Sequence, residues 1–179
     1  HHDIQVVHGS MKTIDYRRKL VVCDGKDVSY DSLILALGSV TNYFGIKGMQ
    51  KHSYGIKSLK EVDDLRRHLH DEVIKNQHRD SSYFVIGAGP TGVELSAAIA
   101  EYIQDVSSAH HVDRGQPSVM LVEAAGRVLP RLSVTPSKKV AARLASLGVT
   151  VFLQHKVEGV GESVITIDGK KTPTRTVIW

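Results

Sequence analysis

The chain has 179 residues, 41% apolar and 23% charged, a balance expected of a globular fold and not of a disordered one. The net charge is +4, with Lys and Arg spread along the chain instead of gathered in a block, so nucleic-acid binding is not expected. No apolar run approaches the roughly 18 residues of a membrane-spanning helix. No secretory signal opens the chain, and Cys23 is its only cysteine, which excludes an internal disulfide and points to the cytosol.

Ile4–His8 alternates like a strand, and Met11–Asp15 reads as a second. Leu20–Cys23 precedes Asp24-Gly25, a hairpin turn signal, and Val28–Tyr30 returns. Asp31–Ala36 is a largely apolar run, expected as a strand buried on both faces. It ends at Leu37-Gly38-Ser39, after which Gly45 and Gly48 mark a loop. Ser58 opens a helix as its N-cap, with Glu61 completing a capping box. Leu59, Val62, Leu65, Leu69 and Val73 have the spacing of one buried face. The polar stretch Asn76–Ser82 is the best linker candidate.

An alternating α/β unit follows. Tyr83–Ile86 reads as a strand, then comes a glycine-rich turn, then a helix over Val93–Gln104. A polar segment, Asp105–Ser118, leads into the strand Val119–Val122. Thr135-Pro136 and Gly148 bound a second helix, and Val149–Leu153 is again a strand. The rest reads as a meander of Val157–Val160, Ser163–Ile167, a turn at Asp168-Gly169, and Thr174–Trp179. The expected fold is α/β: a Rossmann-like βαβ domain of three layers with a β-meander.

The two ends share a plan of two strands, an Asp-Gly turn and an apolar strand, Leu33-Ile34-Leu35 in one and Val177-Ile178-Trp179 in the other. The first copy continues to Gly38 and the second stops at Trp179, so a piece of a longer protein is expected. His68 and His70 sit two apart on a helix and face different ways, and His110-His111 fall in a polar loop. The expectation for all four is a solvated surface, with no metal site. Cys23 has no neighbouring base and is expected to be a buried, inert thiol.

Gly87-Ala88-Gly89-Pro90-Thr91-Gly92 stands between an apolar strand and a helical pattern, the setting of a dinucleotide-binding turn. Gly87 permits the tight turn, Gly89 the approach of a pyrophosphate, and Gly92 close packing of helix on strand. Pro90 suits the first helical position. Glu123 ends the next strand, where a carboxylate accepts hydrogen bonds from the adenosine ribose and repels a 2′-phosphate, favouring NAD(H) over NADP(H). Arg127, four residues on, could reach such a phosphate. On this basis Glu123→Ala is expected to weaken NADH binding, while NADPH binding changes less or improves.

Three stretches resemble the two-dinucleotide (FAD/NAD) flavoprotein oxidoreductases, the pyridine nucleotide-disulfide oxidoreductase superfamily. They are Tyr30–Ser39, Val85–Leu95 and Thr174–Trp179. Within that superfamily, Ile56–Arg66 and Val122–Pro130 are most similar to type II NADH dehydrogenases, which are NADH:quinone oxidoreductases. The resemblance implies a partial FAD-binding domain over residues 1–44, a connecting loop and helix over 45–80, and an NAD-binding domain over 81–179. It implies that Gly87, Gly89 and Gly92 hold the NADH pyrophosphate, Glu123 its adenosine ribose and Val157 the adenine, with Pro90, Thr91 and Arg127 also expected among the cofactor-binding residues. Ala36, Leu37 and Gly38 would touch FAD. Glu94 falls where the family places a glutamate near nicotinamide and flavin, and a carboxylate that only complements the helix dipole is the other reading.

The resemblance further implies a quinone-type acceptor and peripheral attachment, through a segment beyond Trp179, to the cytoplasmic or matrix side of a respiratory membrane. It leaves room for an oligomer. Two alternatives stand beside it. One is another enzyme of the superfamily, reducing ferredoxin, peroxide or a disulfide. The other is a non-catalytic dinucleotide-binding module.

Overall fold

The computed structural model describes residues 4–74, 82–112 and 118–179, which fall into two units, His1–Ser39 and Val40–Trp179. The first unit is an antiparallel meander of β1 (Met11–Asp15), β2 (Leu20–Cys23) and β3 (Val28–Ser29), in that order. Asp15 shapes the first reversal, its Oδ1 accepting the backbone N–H groups of Arg17 and Arg18. Cys23 is half-buried and its Sγ lies 3.9 Å from the Val21 carbonyl oxygen.

Two expected strands do not form here. Ile4–His8 is irregular, with Ile4 and Val6 exposed, and Asp31–Ala36 is irregular, with Ile34 and Leu35 exposed. A strand is held by neighbours that take up its N–H and C=O groups. Among the described residues no strand pairs with either segment.

The second unit runs α1 (Met49–His52), α2 (Leu59–Ile74), β4 (Ser82–Ile86), α3 (Pro90–Ala109), β5 (Ser118–Glu123), α4 (Val134–Ser146), β6 (Val149–Leu153), β7 (Val157–Gly161), β8 (Val164–Ile167), β9 (Lys170–Pro173) and β10 (Thr176–Ile178). The strands β10-β4-β5-β6 form a parallel sheet in that order, and β7-β8-β9 form an antiparallel one.

Alternation along the parallel strands makes the layers, because successive side chains point to opposite faces. Tyr83, Val85, Val119, Leu121, Val149 and Ile178 enter one core, shared with Leu65, Leu69 and Val73 of α2, Ile99 and Ile103 of α3, and Leu144 of α4. Phe84, Val122 and Val177 enter the other, shared with Met49 and with Val157, Val160 and Ile165 of the meander. Helices, parallel sheet and meander are thus the three layers of the expected α/β fold. Among the described residues no helix is long and apolar enough to cross a membrane.

The helix signals held in part. Ser58 and Glu61 make the capping box reciprocally: Ser58 Oγ accepts the Glu61 N–H at 3.2 Å, and Glu61 Oε2 accepts the Ser58 N–H at 2.8 Å. The buried stripe of α2 is shorter than its spacing suggested, since Leu59 and Val62 are exposed ahead of Leu65. Helix α3 continues through Asp105 to Ala109, because polar side chains on an exposed face do not end a helix that packs on its other side. The N-cap of α4 is Ser133, with Thr135 and Pro136 inside the first turn, where proline's missing N–H has no intrahelical acceptor to lose. The linker stretch lies outside the described residues except for Ser82, which opens β4. Strand β9 carries no apolar alternation and forms by pairing with β8, Ile167 opposite Lys170.

Candidate functional site

Strand β4 delivers the chain to Gly87 at the carboxyl end of the parallel sheet, the end at which open α/β sheets bind ligands. Gly87 turns there with φ of 95°, a conformation that side chains disfavour. Gly92 sits so close behind it that an added Cβ would lie 1.8 Å from the Gly87 carbonyl oxygen. That contact is with backbone, which cannot yield, so α3 can start at this angle only over a glycine. Gly89 is the opposite case, since a Cβ there would meet nothing within 4 Å. Pro90 is the first helical residue. The N–H groups of the turn after it have no intrahelical acceptor and carry the positive end of the helix dipole.

The turn lines an open cleft of about 610 Å³, to which Gly87, Gly89, Pro90, Thr91, Gly92 and Leu95 contribute one wall. The lining also includes Asn42, Phe44, Ile56, Lys57 and Trp179. Trp179 Nε1 donates to the Asn42 carbonyl at 3.0 Å, and the Phe44 ring meets the indole edge-on at 5.9 Å between centroids. Sequence reasoning missed this aromatic wall. Its one signal was a pair of aromatics, Tyr43-Phe44, set in a loop ahead of Gly45.

Glu123, at the end of β5, reaches back to the glycine turn. Its Oε2 accepts the Ala88 N–H at 2.7 Å and its Oε1 accepts the Ala125 N–H at 2.7 Å. The Gly87 N–H donates to Val122 O at 2.8 Å, and the Leu129 N–H donates to Ala88 O at 2.8 Å. Leu129 makes that bond with φ of 49°, a left-handed conformation uncommon for a leucine. Turn and carboxylate, read separately from the sequence, are therefore one hydrogen-bonded unit.

The remaining expected residues are placed differently. The Arg127 guanidinium turns into its own loop, one Nη donating to Pro130 O at 2.7 Å and the other buried without a partner among the described residues. Val157 is buried in the core between sheet and meander. Glu94 is exposed on α3 and does not line the cleft. Ala36, Leu37 and Gly38 lie exposed in the first unit.

Two histidines take part in local networks. His155 lies two residues beyond β6, its backbone N–H donating to Glu123 O at 3.1 Å and its Nδ1 lying 2.6 Å from Asp168 Oδ2. The Lys156 N–H, and then His155, hold the Asp168 carboxyl below its ordinary range. His68 is not on a solvated surface as expected. It is half-buried, stacked on Tyr54 at 4.5 Å, and its Nε2 shares a 2.7 Å hydrogen bond with Thr176 Oγ1 on β10. Burial pushes its pKa down, because the charged form loses hydration there. Burial also pushes the Tyr54 phenol up, reinforced by the Glu72 and Asp64 carboxylates. His70 meets His110 edge-on at 5.6 Å.

Comparison with known proteins gives this arrangement its relatives. The type II NADH:quinone oxidoreductase Ndh of Mycobacterium tuberculosis is 30% identical over 190 residues, covering 98% of this chain and 41% of the relative. The type II NADH:quinone oxidoreductase of Staphylococcus aureus strain NCTC 8325 is 28% identical, covering 98% and 46%. The chain thus spans less than half the length of either. Among solved structures, NDH2 from Plasmodium falciparum in complex with NADH superposes with a TM-score of 0.77 at 24% identity, over 97% of this chain and 40% of that one. The ferredoxin reductase of the CYP199A2 system from Rhodopseudomonas palustris superposes with a TM-score of 0.73 at 20% identity, over 98% and 40%. Both superpositions speak to fold. The family model for pyridine nucleotide-disulphide oxidoreductases matches residues 1–179, from the first meander through the glycine turn to Trp179, and the chain belongs to that family.

Proposed function

We propose that this chain carries the NADH site of an FAD-dependent NADH dehydrogenase whose full-length form passes electrons to a quinone. The observation that carries the reading is the joined unit of Gly87–Gly92 and Glu123 at the carboxyl end of β4 and β5. The residues fit a dinucleotide. The open space above Gly89 suits a pyrophosphate, and the first-turn N–H groups of α3 suit its charge. Each Glu123 oxygen accepts one backbone N–H and keeps acceptor capacity for a ribose hydroxyl. One Nη of Arg127 is committed to Pro130 O and the other is buried, which leaves the guanidinium poorly placed to neutralise a 2′-phosphate and favours NADH.

When bound, the reduced nicotinamide supplies a hydride, and this chain's residues bind and orient it. The aromatic wall of Phe44 and Trp179 offers the apolar surface on which a flat ring excludes water. In the same reading Glu94 approaches the reacting rings from outside the cleft lining, Val157 supports the adenine only from within the core, and Ala36, Leu37 and Gly38 contribute to an FAD site completed elsewhere in the parent. Residues 1–44 then belong to the FAD-binding domain, 45–80 to a connection, and 81–179 to the NAD-binding domain. The quinone acceptor is carried over from the type II NADH:quinone oxidoreductases among the relatives, and a peripheral place at a respiratory membrane is proposed from the sequence resemblance alone.

The test is calorimetric titration of NADH and NADPH into the 179-residue chain at one ionic strength. NADH is expected to bind at one site, with NADPH roughly tenfold weaker or worse, the scale of a lost charge-assisted contact. Equal affinities would contradict the assignment of Glu123. The chain alone is expected to purify without stoichiometric flavin and without NADH:quinone activity, and a flavin absorption band near one per chain would overturn that part.

A further inference from the structure

The Glu123 carboxylate does more in this structure than wait for a ribose. Ala88 has no exposed surface, so its backbone N–H cannot turn to water, and Glu123 Oε2 is its partner at 2.7 Å. The Ala88 carbonyl is taken by the Leu129 N–H, and the preceding Gly87 N–H by Val122 O. The peptide between the first two glycines is thus held on one side by the end of β5 and on the other by the loop that follows it. Oε1 anchors that loop in turn through the Ala125 N–H.

We infer that Glu123 is a positioning residue for the phosphate turn, acting through Ala88, in addition to the ribose contact assigned to it above. The inference rests on that reading only for the identity of the ligand. Removing the carboxylate leaves a buried N–H without an acceptor and frees the Ala125 end of the loop, so the turn loses the shape a pyrophosphate needs. The expectation from the sequence that NADPH binding could improve on loss of this carboxylate then fails for this chain. The 2′-phosphate is no longer repelled, but its dinucleotide meets a loosened turn. Glutamine is no substitute, because its amide nitrogen points a donor at one of the two N–H groups.

The test separates turn from ribose with three ligands: NADH, NADPH, and an NADH analogue lacking both hydroxyls on the adenosine ribose. Each is titrated into the chain, into Glu123→Ala, and into Glu123→Gln, which keeps the side-chain volume should the alanine variant fold poorly. Amide hydrogen exchange at Ala88 is followed without ligand. The analogue cannot bond to Glu123, yet its affinity is expected to fall about fivefold or more in both variants, the scale of one lost hydrogen bond. NADPH is expected to weaken as well, and Ala88 to exchange faster. Equal affinity of the analogue for the chain and for Glu123→Gln, or unchanged exchange at Ala88, would overturn the proposal. If NADH loses no more than the analogue does, the ribose contact falls and the positioning role stands.

Discussion

In the first meander the turn at Asp24-Gly25 is held by an ion pair between exposed side chains, Lys12 Nζ to Asp24 Oδ1 at 2.6 Å, and by the Asp24 N–H to Ser10 O at 3.0 Å. In the second, the turn at Asp168-Gly169 is tied more heavily. Asp168 binds the Lys156 N–H and His155, its own N–H reaches Lys156 O, and the Gly169 N–H reaches Glu158. Each turn leads toward an apolar tripeptide, and there the two part. Ile34 is 90% exposed whereas Ile178 is 0% exposed, because Ile178 lies opposite Val85 in a parallel pair and packs into the helical core. A hairpin is specified by the residues within it. The strand after it exists only where another strand offers an edge.

The sharpest way to break this comparison is to truncate the two central isoleucines. Ile178→Ala is expected to cost about 2–5 kcal/mol, the range for emptying a buried aliphatic site, while Ile34→Ala stays within about 0.5 kcal/mol. Denaturant unfolding followed by the fluorescence of Trp179, the sole tryptophan, reads both. A comparable loss at Ile34 would mean that its segment is packed after all.

The glycine turn permits a second contrast inside one loop. Gly92→Ala forces a Cβ against the Gly87 carbonyl and is expected to destabilise by about 1–3 kcal/mol as an overpacked site. Gly89→Ala has room, so stability should hold within about 0.5 kcal/mol while NADH affinity drops, since the methyl occupies the space assigned to the pyrophosphate. Loss of stability at Gly89 with retained binding would reverse the two roles.

The pH response should report on the contact of His68 with β10 and on the turn at Asp168. Burial holds His68 below its ordinary value of 6.5, so the unfolded chain takes up the proton first. Stability therefore falls as pH drops from 6.5 through the lowered folded value, and His68→Gln should flatten that slope in urea midpoints measured at successive pH values. The smallest effect is at the tied turn. Asp168 is held below its ordinary range, so its contribution is full above about pH 4 and fades as pH falls through the folded value. Asp168→Asn should lower the melting temperature slightly at neutral pH and not at all in strong acid. Asp24→Asn serves as the comparison and should do less at neutral pH.

Much of this fold was legible because its signals are local. The capping box at Ser58 and Glu61, the glycine turn and the short apolar run Tyr83–Ile86 each depend on near neighbours in the chain. What could not be read depends on partners distant in sequence. Strand β9 is polar and borrows its order from β8, and half-buried His68 is hydrogen-bonded to a β10 residue 108 positions away. The site divides the same way. Gly87, Gly92 and Glu123 were legible as residue types in a pattern, whereas the bond from Glu123 to Ala88 spans 35 positions and no pattern announces it. The aromatic wall brings Trp179 onto Asn42, 137 positions away, and onto Phe44, and it likewise appears only on folding.

The central claim is that NADH binds over the glycine turn and against Glu123, in the second unit. The most direct measurement is a titration of the isotopically labelled chain with NADH, following backbone amide resonances residue by residue. The largest shifts are expected at Gly87–Gly92 and at Ala124–Gly126, with the Trp179 indole N–H moving and the strands β1–β3 unchanged. Shifts confined to β1–β3, or saturation by NADH without movement at Gly89, would contradict the account.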